Sequence, residues 1–266
     1  MKTALFFLLL LQALWLAGCG NDGKSELTVY TGAGLTDVMQ EIGQEFQKES
    51  GVTVRCNFQP AGTLKVQIER GAPADIFIAP HPSYMDSLEA QGLLEEHSRM
   101  NLLSNRIVCV APLDSTLRLE KIDDIAGADV SSIALPDPNV AAVGVYTKES
   151  LVKLDLWERV ADRVKPTLGV RAALAAVEGG DADSGFVFRT DAMMSKKVRV
   201  AFELPSETHS EILFPAAILA GSENKAIGKE FMRFLCSDKA KAIFRKHGFI
   251  PVLPDRSNSN VTEVEQ

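Results

Sequence analysis

The sequence predicts an α/β fold of two lobes, each built on a mainly parallel sheet flanked by helices. Three observations carry this. Short apolar runs of β type alternate with amphipathic helical stretches along the chain, the pattern of βα units. The chain has 266 residues, of which 46% are hydrophobic and 24% charged; that length and composition suit two medium lobes. The order strand, glycine turn, helix appears at once over Leu27–Ala79 and recurs in a second set after Pro112.

The first block opens with the strand Leu27–Tyr30, broken by Thr31-Gly32-Ala33-Gly34. A helix follows over Leu35–Lys48, with Leu35, Val38, Met39, Ile42 and Phe46 on one face, and Gly51 beyond its end. That spacing marks an amphipathic helix. The strand Val52–Phe58 breaks at Gln59-Pro60-Ala61-Gly62 and enters a short helix over Leu64–Arg70. Gly71–Ala74 stops it before the buried strand Asp75–Ala79. In such units the helix N-termini collect at one edge of the sheet. Each N-terminus carries unpaired N–H groups and roughly half a positive charge. Two of them aimed at one cleft form an anion site without a basic side chain. The same turns also occur in α/β domains that bind nothing there.

The helix Tyr84–Gln91 ends at Gly92, and Ile107–Ala111 is a strand. In the second set, the strand Ser132–Leu135 breaks at Pro136–Asn139 and leads to the helix Gly144–Leu154. Gly169-Val170-Arg171 opens the alanine-rich helix Ala172–Glu178. The strand Gly185–Phe188 gives way to a short helix at Arg189-Thr190-Asp191, and Val198–Phe202 is a further strand. Ile212–Leu219 reads as extended, and Asn224–Cys236 and Lys239–Lys246 as helical. Lobe one is expected over 27–104 plus 216–254 and lobe two over 112–205. The crossings 105–111 and 206–215 would form a hinge, with the ligand cleft between the lobes.

Both ends read differently. Lys2 and the apolar run Ala4–Leu16 form a signal peptide over 1–18, too short for a comfortable membrane span. Leu16-Ala17-Gly18-Cys19 resembles a bacterial lipobox, which implies lipidation of Cys19 and a polar tether over 19–26. The mature chain would then be anchored outside the cytoplasmic membrane without spanning it. The polar tail 255–266 is expected to be disordered.

The net charge of −7 gives no basic footprint for nucleic acid. Cys56, Cys109 and Cys236 have no CxxC spacing and read as small buried hydrophobes, so no metal site is expected. His81, His97, His209 and His247 lie in no metal or nucleophile motif. Asp75, Asp137 and Asp191 sit where caps and turns use aspartate. No catalytic constellation emerges, so an enzyme is not expected and no cofactor is implied.

Several stretches in fixed order resemble the periplasmic molybdate-binding proteins of ABC importers. They are Val29–Thr36, Gly62-Thr63-Leu64 with Gln67-Ile68-Glu69, Gly71–Ala79, Asp137-Pro138 with Gly144-Val145-Tyr146, Val170–Leu174, Gly185–Ala192 and Lys246–Phe249. The resemblance implies a two-lobed type II solute-binding fold that holds molybdate or tungstate, through helix N-termini and backbone N–H groups, between the lobes. It also implies an ABC permease with its ATPase as partners and a monomeric chain. The family's binding positions fall at Gly34, Ala61, Val143, Val170 and Phe188. Three of these, Gly34, Ala61 and Phe188, stand where the family has serine, serine and tyrosine hydroxyls.

Thr31, Thr36, Thr63 and Thr190 lie near the same turns and are candidate replacements. Arg189, directly after Phe188, is a candidate to reach inward, whereas Arg171 reads as a surface charge. Glycine at 34 also lets a backbone N–H approach a ligand closely. The lost hydroxyls leave a second reading open, in which the same scaffold takes sulfate, phosphate or a phosphorylated or carboxylated metabolite.

Overall fold

A computed structural model describes residues 25–252. The signal peptide, Cys19, most of the tether and the tail 255–266 lie outside the described residues. Two mixed sheets organise the rest, with helices packed around them.

The first sheet has strand order β11-β4-β10-β3-β1-β2. Its strands are β1 (Glu26–Gly32), β2 (Thr53–Gln59), β3 (Ile76–Ile78), β4 (Met100–Ser104), β10 (Phe214–Ile218) and β11 (Ile250–Pro251). The helices around it are α1 (Thr36–Ser50), α2 (Ala61–Glu69), α3 (Pro82–Ala90), α8 (Lys225–Leu235) and α9 (Asp238–Lys246). The second sheet has order β7-β6-β8-β5-β9. It comprises β5 (Ile107–Pro112), β6 (Ile133–Pro136), β7 (Val164–Thr167), β8 (Ser184–Phe188) and β9 (Val198–Glu203). Its helices are α4 (Ala142–Lys153), α5 (Trp157–Val160), α6 (Val170–Glu178) and α7 (Arg189–Met193).

The α/β class and the two lobes stand as expected, but the sheets are not mainly parallel. β1 pairs in parallel with β2 and β3, and β6 with β7 and β8. β10 and β5, which lie next to the crossings, pair antiparallel on both sides. The cause is connectivity. Parallel neighbours need a crossover of a dozen or more residues, and a strand entered directly from the other lobe has none. The first crossing is also shorter than expected. Only Asn105 and Arg106 separate β4 from β5, and Ile107–Pro112 is a central strand of the second sheet. Residues 204–213 make the return, and Phe214 and Pro215 already belong to β10.

The amphipathic reading of α1 is realised. Val38, Met39, Ile42 and Phe46 are buried, and the Phe46 ring meets that of Phe231 edge-on with centroids 4.9 Å apart. Gly51 ends α1 in the left-handed region, at φ 76°, a conformation that glycine adopts without strain. Its N–H donates to the Gln47 carbonyl at 2.9 Å.

This topology places a site. β1 lies between β2 and β3, and β6 between β7 and β8. At each of these strands the chain switches sides, which opens a crevice beyond the C-terminal strand ends. Both crevices face the same gap.

Candidate functional site

A cavity of about 210 Å³ fills that gap. The first lobe contributes Gly32–Leu35, Pro60, Ala61, Pro80, Phe214 and Phe249, and the second contributes Ala141–Val143, Leu168–Ala172, Phe188 and Thr190. Four helical segments begin at it: the short 3-10 turn Ala33–Leu35 leading into α1, then α2, α4 and α6. Their N-cap residues are Gly32, Pro60, Ala141 and Gly169, and none supplies a side-chain cap. Away from the cavity, by contrast, the Ser237 hydroxyl caps α9 by accepting the Ala240 N–H at 3.1 Å. An N-cap side chain would satisfy the N–H groups of the first turn. Without one, the N–H groups of Gly34, Ala61, Ala142, Val143, Val170 and Arg171 find no acceptor among the described residues. The cavity thus has apolar walls and a ring of unpaired backbone donors at the positive ends of helices, an arrangement that suits a small anion.

Of the residues singled out in the sequence, Gly34, Ala61, Val143, Val170 and Phe188 all line this cavity. Thr31, Thr63 and Arg189 do not. Thr31 is fully buried beneath the turn, and Thr63 is exposed on α2. The Thr36 hydroxyl closes its own turn by donating to the Ala33 carbonyl at 2.7 Å. Arg189 is half-exposed and reaches Glu203 at 3.5 Å on the far side of β5. Its N–H still follows the sheet, donating to the Arg106 carbonyl at 2.8 Å, and this turns the side chain away. Thr190 does line the cavity, with its hydroxyl accepting a hydrogen bond from Asn105 Nδ2 at 3.0 Å. Arg171, read from the sequence as a surface charge, is a lining residue as well. It is the second residue of α6, and helical side chains lean toward the N-terminus, which is the signal that could have placed it there.

The profile of the bacterial extracellular solute-binding proteins matches residues 27–250. The chain belongs to this family. A molybdate-binding protein of Escherichia coli is 36% identical over 243 residues, spanning 89% of this chain and 94% of its own. One from Haemophilus influenzae is 33% identical, spanning 89% of this chain and 95% of its own. A Bacillus subtilis protein named as an ABC transporter substrate-binding lipoprotein is 33% identical over 93% of this chain and 98% of its own. The periplasmic molybdate-binding protein of Azotobacter vinelandii shares the fold, with TM-score 0.77 and 24% identity over 86% of this chain and all of its own.

A buried carboxylate stands behind the Gly34 turn. Asp191 is fully buried on α7. A β-carbon built on Gly34 would lie 3.4 Å from Asp191 Oδ2 and 3.5 Å from Oδ1. Arg171 Nε stands 3.1 Å from Oδ1. That approach is off-axis, so neither carboxylate oxygen receives a hydrogen bond. Burial pushes the Asp191 carboxyl up to about 7, with Arg171 opposing and Asp37 reinforcing the shift. An unfolded chain releases this proton near pH 4. The folded protein therefore holds one more proton between about pH 4 and pH 7, and stability contributed by Asp191 is lost as pH rises through that window. Asp191→Asn is expected to remove this loss. Relative to the native chain, the variant gains melting temperature between about pH 4.5 and pH 7.5. A difference that stays flat with pH would show that Asp191 is ionised in the folded state.

Proposed function

We propose that this protein is the substrate-binding component of an ABC importer and holds molybdate or tungstate in the cavity between its lobes. The observation that carries the reading is the convergence of four uncapped helix starts on one apolar cavity. A fully deprotonated oxyanion accepts hydrogen bonds through every oxygen and donates none, so a ring of N–H donors matches it. Hydrogen bonds to a charged group contribute about 1.5–3 kcal/mol each, and dry apolar walls strengthen them. The relatives named as molybdate-binding proteins support the choice of anion.

Binding proceeds with closure of the lobes about Asn105-Arg106 and residues 204–213. The anion touches both lobes, so it favours the closed form by its extra affinity for it. The closed form then docks on a permease driven by its ATPase. The lipobox-like Leu16-Ala17-Gly18-Cys19 supports attachment of the mature chain to the membrane through lipid on Cys19. The lipoprotein name of the Bacillus subtilis relative agrees with that.

A second reading has its own observation. The positions Gly34, Ala61 and Phe188 offer no hydroxyl to the cavity. Such a lining also suits an anion with an apolar body, such as a carboxylated or phosphorylated metabolite.

Isothermal titration of ligand-stripped protein lacking residues 1–19 with molybdate, tungstate and sulfate tests the choice. Molybdate and tungstate are expected to bind with Kd of about 1 μM or tighter, and sulfate at least tenfold more weakly. No heat with any of the three overturns the oxyanion reading in favour of the second.

A further inference from the structure

Closure needs something to hold it, and the anion is not the only group that spans the gap. Arg171 sits at the N-terminus of α6, which packs on the second sheet and against the first lobe's Ala33–Leu35 turn. Its guanidinium makes three approaches. Nη2 donates to Asp37 Oδ2 at 3.0 Å and lies 3.2 Å from the Met194 sulfur, and Nε stands 3.1 Å from Asp191 Oδ1. Asp37 belongs to the first turn of α1, in the other lobe. Asp191 and Met194 belong to the same lobe as Arg171. One cation thus ties a carboxylate of each lobe. Asp191 is fully buried, whereas the Arg171 and Asp37 side chains are only partly exposed.

From this geometry we infer that Arg171 is a clasp between the lobes, a positioning residue that holds the cavity shut through Asp37 and does not itself ligate the anion. The inference rests on the reading of a ligand enclosed between closing lobes. Its physical basis is the arrangement of partners. A guanidinium offers five N–H donors in a planar fork; Nη2 donates to Asp37, while Nε stands beside the buried Asp191 as an ion pair without a hydrogen bond. With two carboxylates on one guanidinium the cluster carries no net positive charge to attract an anion. The neutral donors of the helix starts remain for the ligand. A second contact closes the same seam without charge. The Gly62 N–H donates to the Val140 carbonyl at 3.3 Å across the gap.

Asp37 provides the test because it does not line the main cavity. Dissociation of molybdate is measured by stopped-flow chase for the native chain, Asp37→Asn, Arg171→Gln and the double variant. The clasp predicts that each single change speeds dissociation about two- to fivefold, given a partly exposed pair. The double variant is expected to be no faster than the faster single, and Asp37→Glu to restore most of the native rate. Were Arg171 an anion ligand, freeing it from Asp37 would slow dissociation. An unchanged or slower rate in Asp37→Asn, or effects that multiply in the double variant, overturns the clasp. If the native chain binds no molybdate, the proposed function fails, and small-angle scattering of the same four proteins decides the clasp separately. Equal expansion of both singles and the double supports it, and unchanged profiles overturn it.

Discussion

Replacing Gly144 by alanine is expected to be the most damaging single methyl group that can be added near the site. Gly144 lies in the first turn of α4. A β-carbon there would stand 2.0 Å from the Pro136 carbonyl oxygen, 2.7 Å from the Pro138 nitrogen and 2.9 Å from the Pro136 carbonyl carbon. All three are backbone atoms, and the loop that carries them is pinned. The Asp137 N–H donates to the Thr167 carbonyl at 2.8 Å, and Asp137 Oδ1 accepts the Asn139 N–H at 2.8 Å. Prolines at 136 and 138 restrict the backbone further. Neither side can yield, so α4 must lift off the end of β6. Overpacking costs about 1–3 kcal/mol where side chains can shift, and a backbone clash belongs at or above the top of that range. The melting temperature is expected to fall by roughly 10 °C. The same displacement carries the Ala142 and Val143 N–H groups away from the cavity, so anion affinity falls with it. Gly221→Ala serves as the control, because a β-carbon there meets nothing within 4 Å. A Gly144→Ala protein that melts and binds like the native chain would show that α4 is free to shift.

Gly144 also illustrates what sequence alone conveys. Its place beside Asp137-Pro138 belongs to the family resemblance, but the reason for the glycine, a helix start pressed onto a strand end, is visible only in space. The long periodic elements were legible because burial imposes a period, as in α1 with Val38, Met39, Ile42 and Phe46. The short edge elements were not. β7 reads Val-Lys-Pro-Thr and is half-exposed, and β11 has two residues. β4 was missed because pairing to β10 and β11 defines it, not an apolar run of its own. For the site, the turns before α1 and α2 pointed to two helix starts at one sheet edge, while the positions at Val143 and Val170 came only through the family resemblance. The charges were not legible. Asp37, Arg171 and Asp191 are separated by 134 residues between the first two and 20 between the last two, and no local pattern relates them. Arg189 is the first residue of its helix and Arg171 the second of its own, and only the fold shows that one reaches Glu203 and the other lines the cavity.

Adding hydroxyls at Gly34, Ala61 and Phe188 is expected to tighten binding of molybdate by the largest factor of any change at the site. In Gly34→Ser the new β-carbon would meet Asp191 and Val170 at 3.4–3.7 Å, ordinary contact distances. Ala61 and Phe188 line the cavity and are almost fully buried, so Ala61→Ser and Phe188→Tyr each place a hydroxyl at a dry wall. A hydrogen bond to an anion contributes about 1.5–3 kcal/mol, which is roughly ten- to a hundredfold in Kd for each hydroxyl. The three gains are not equal. At position 34 the unpartnered Asp191 carboxylate competes for the serine hydrogen, so that hydroxyl is expected to stabilise the apo protein more than the complex. Among the described residues, Ala61 and Phe188 have no unpartnered carboxylate set against them in this way, and the new hydroxyl hydrogens are expected to turn to the ligand. Ala61→Ser with Phe188→Tyr is therefore expected to account for most of a gain on the order of a hundredfold, read by calorimetry with molybdate. The opposite sign carries equal information. If the double variant binds molybdate no better while a carboxylated or phosphorylated metabolite loses affinity, the smooth wall formed by Ala61, Phe188 and Phe214 is itself the recognition surface. The backbone donors would then hold only the charged end of a larger solute.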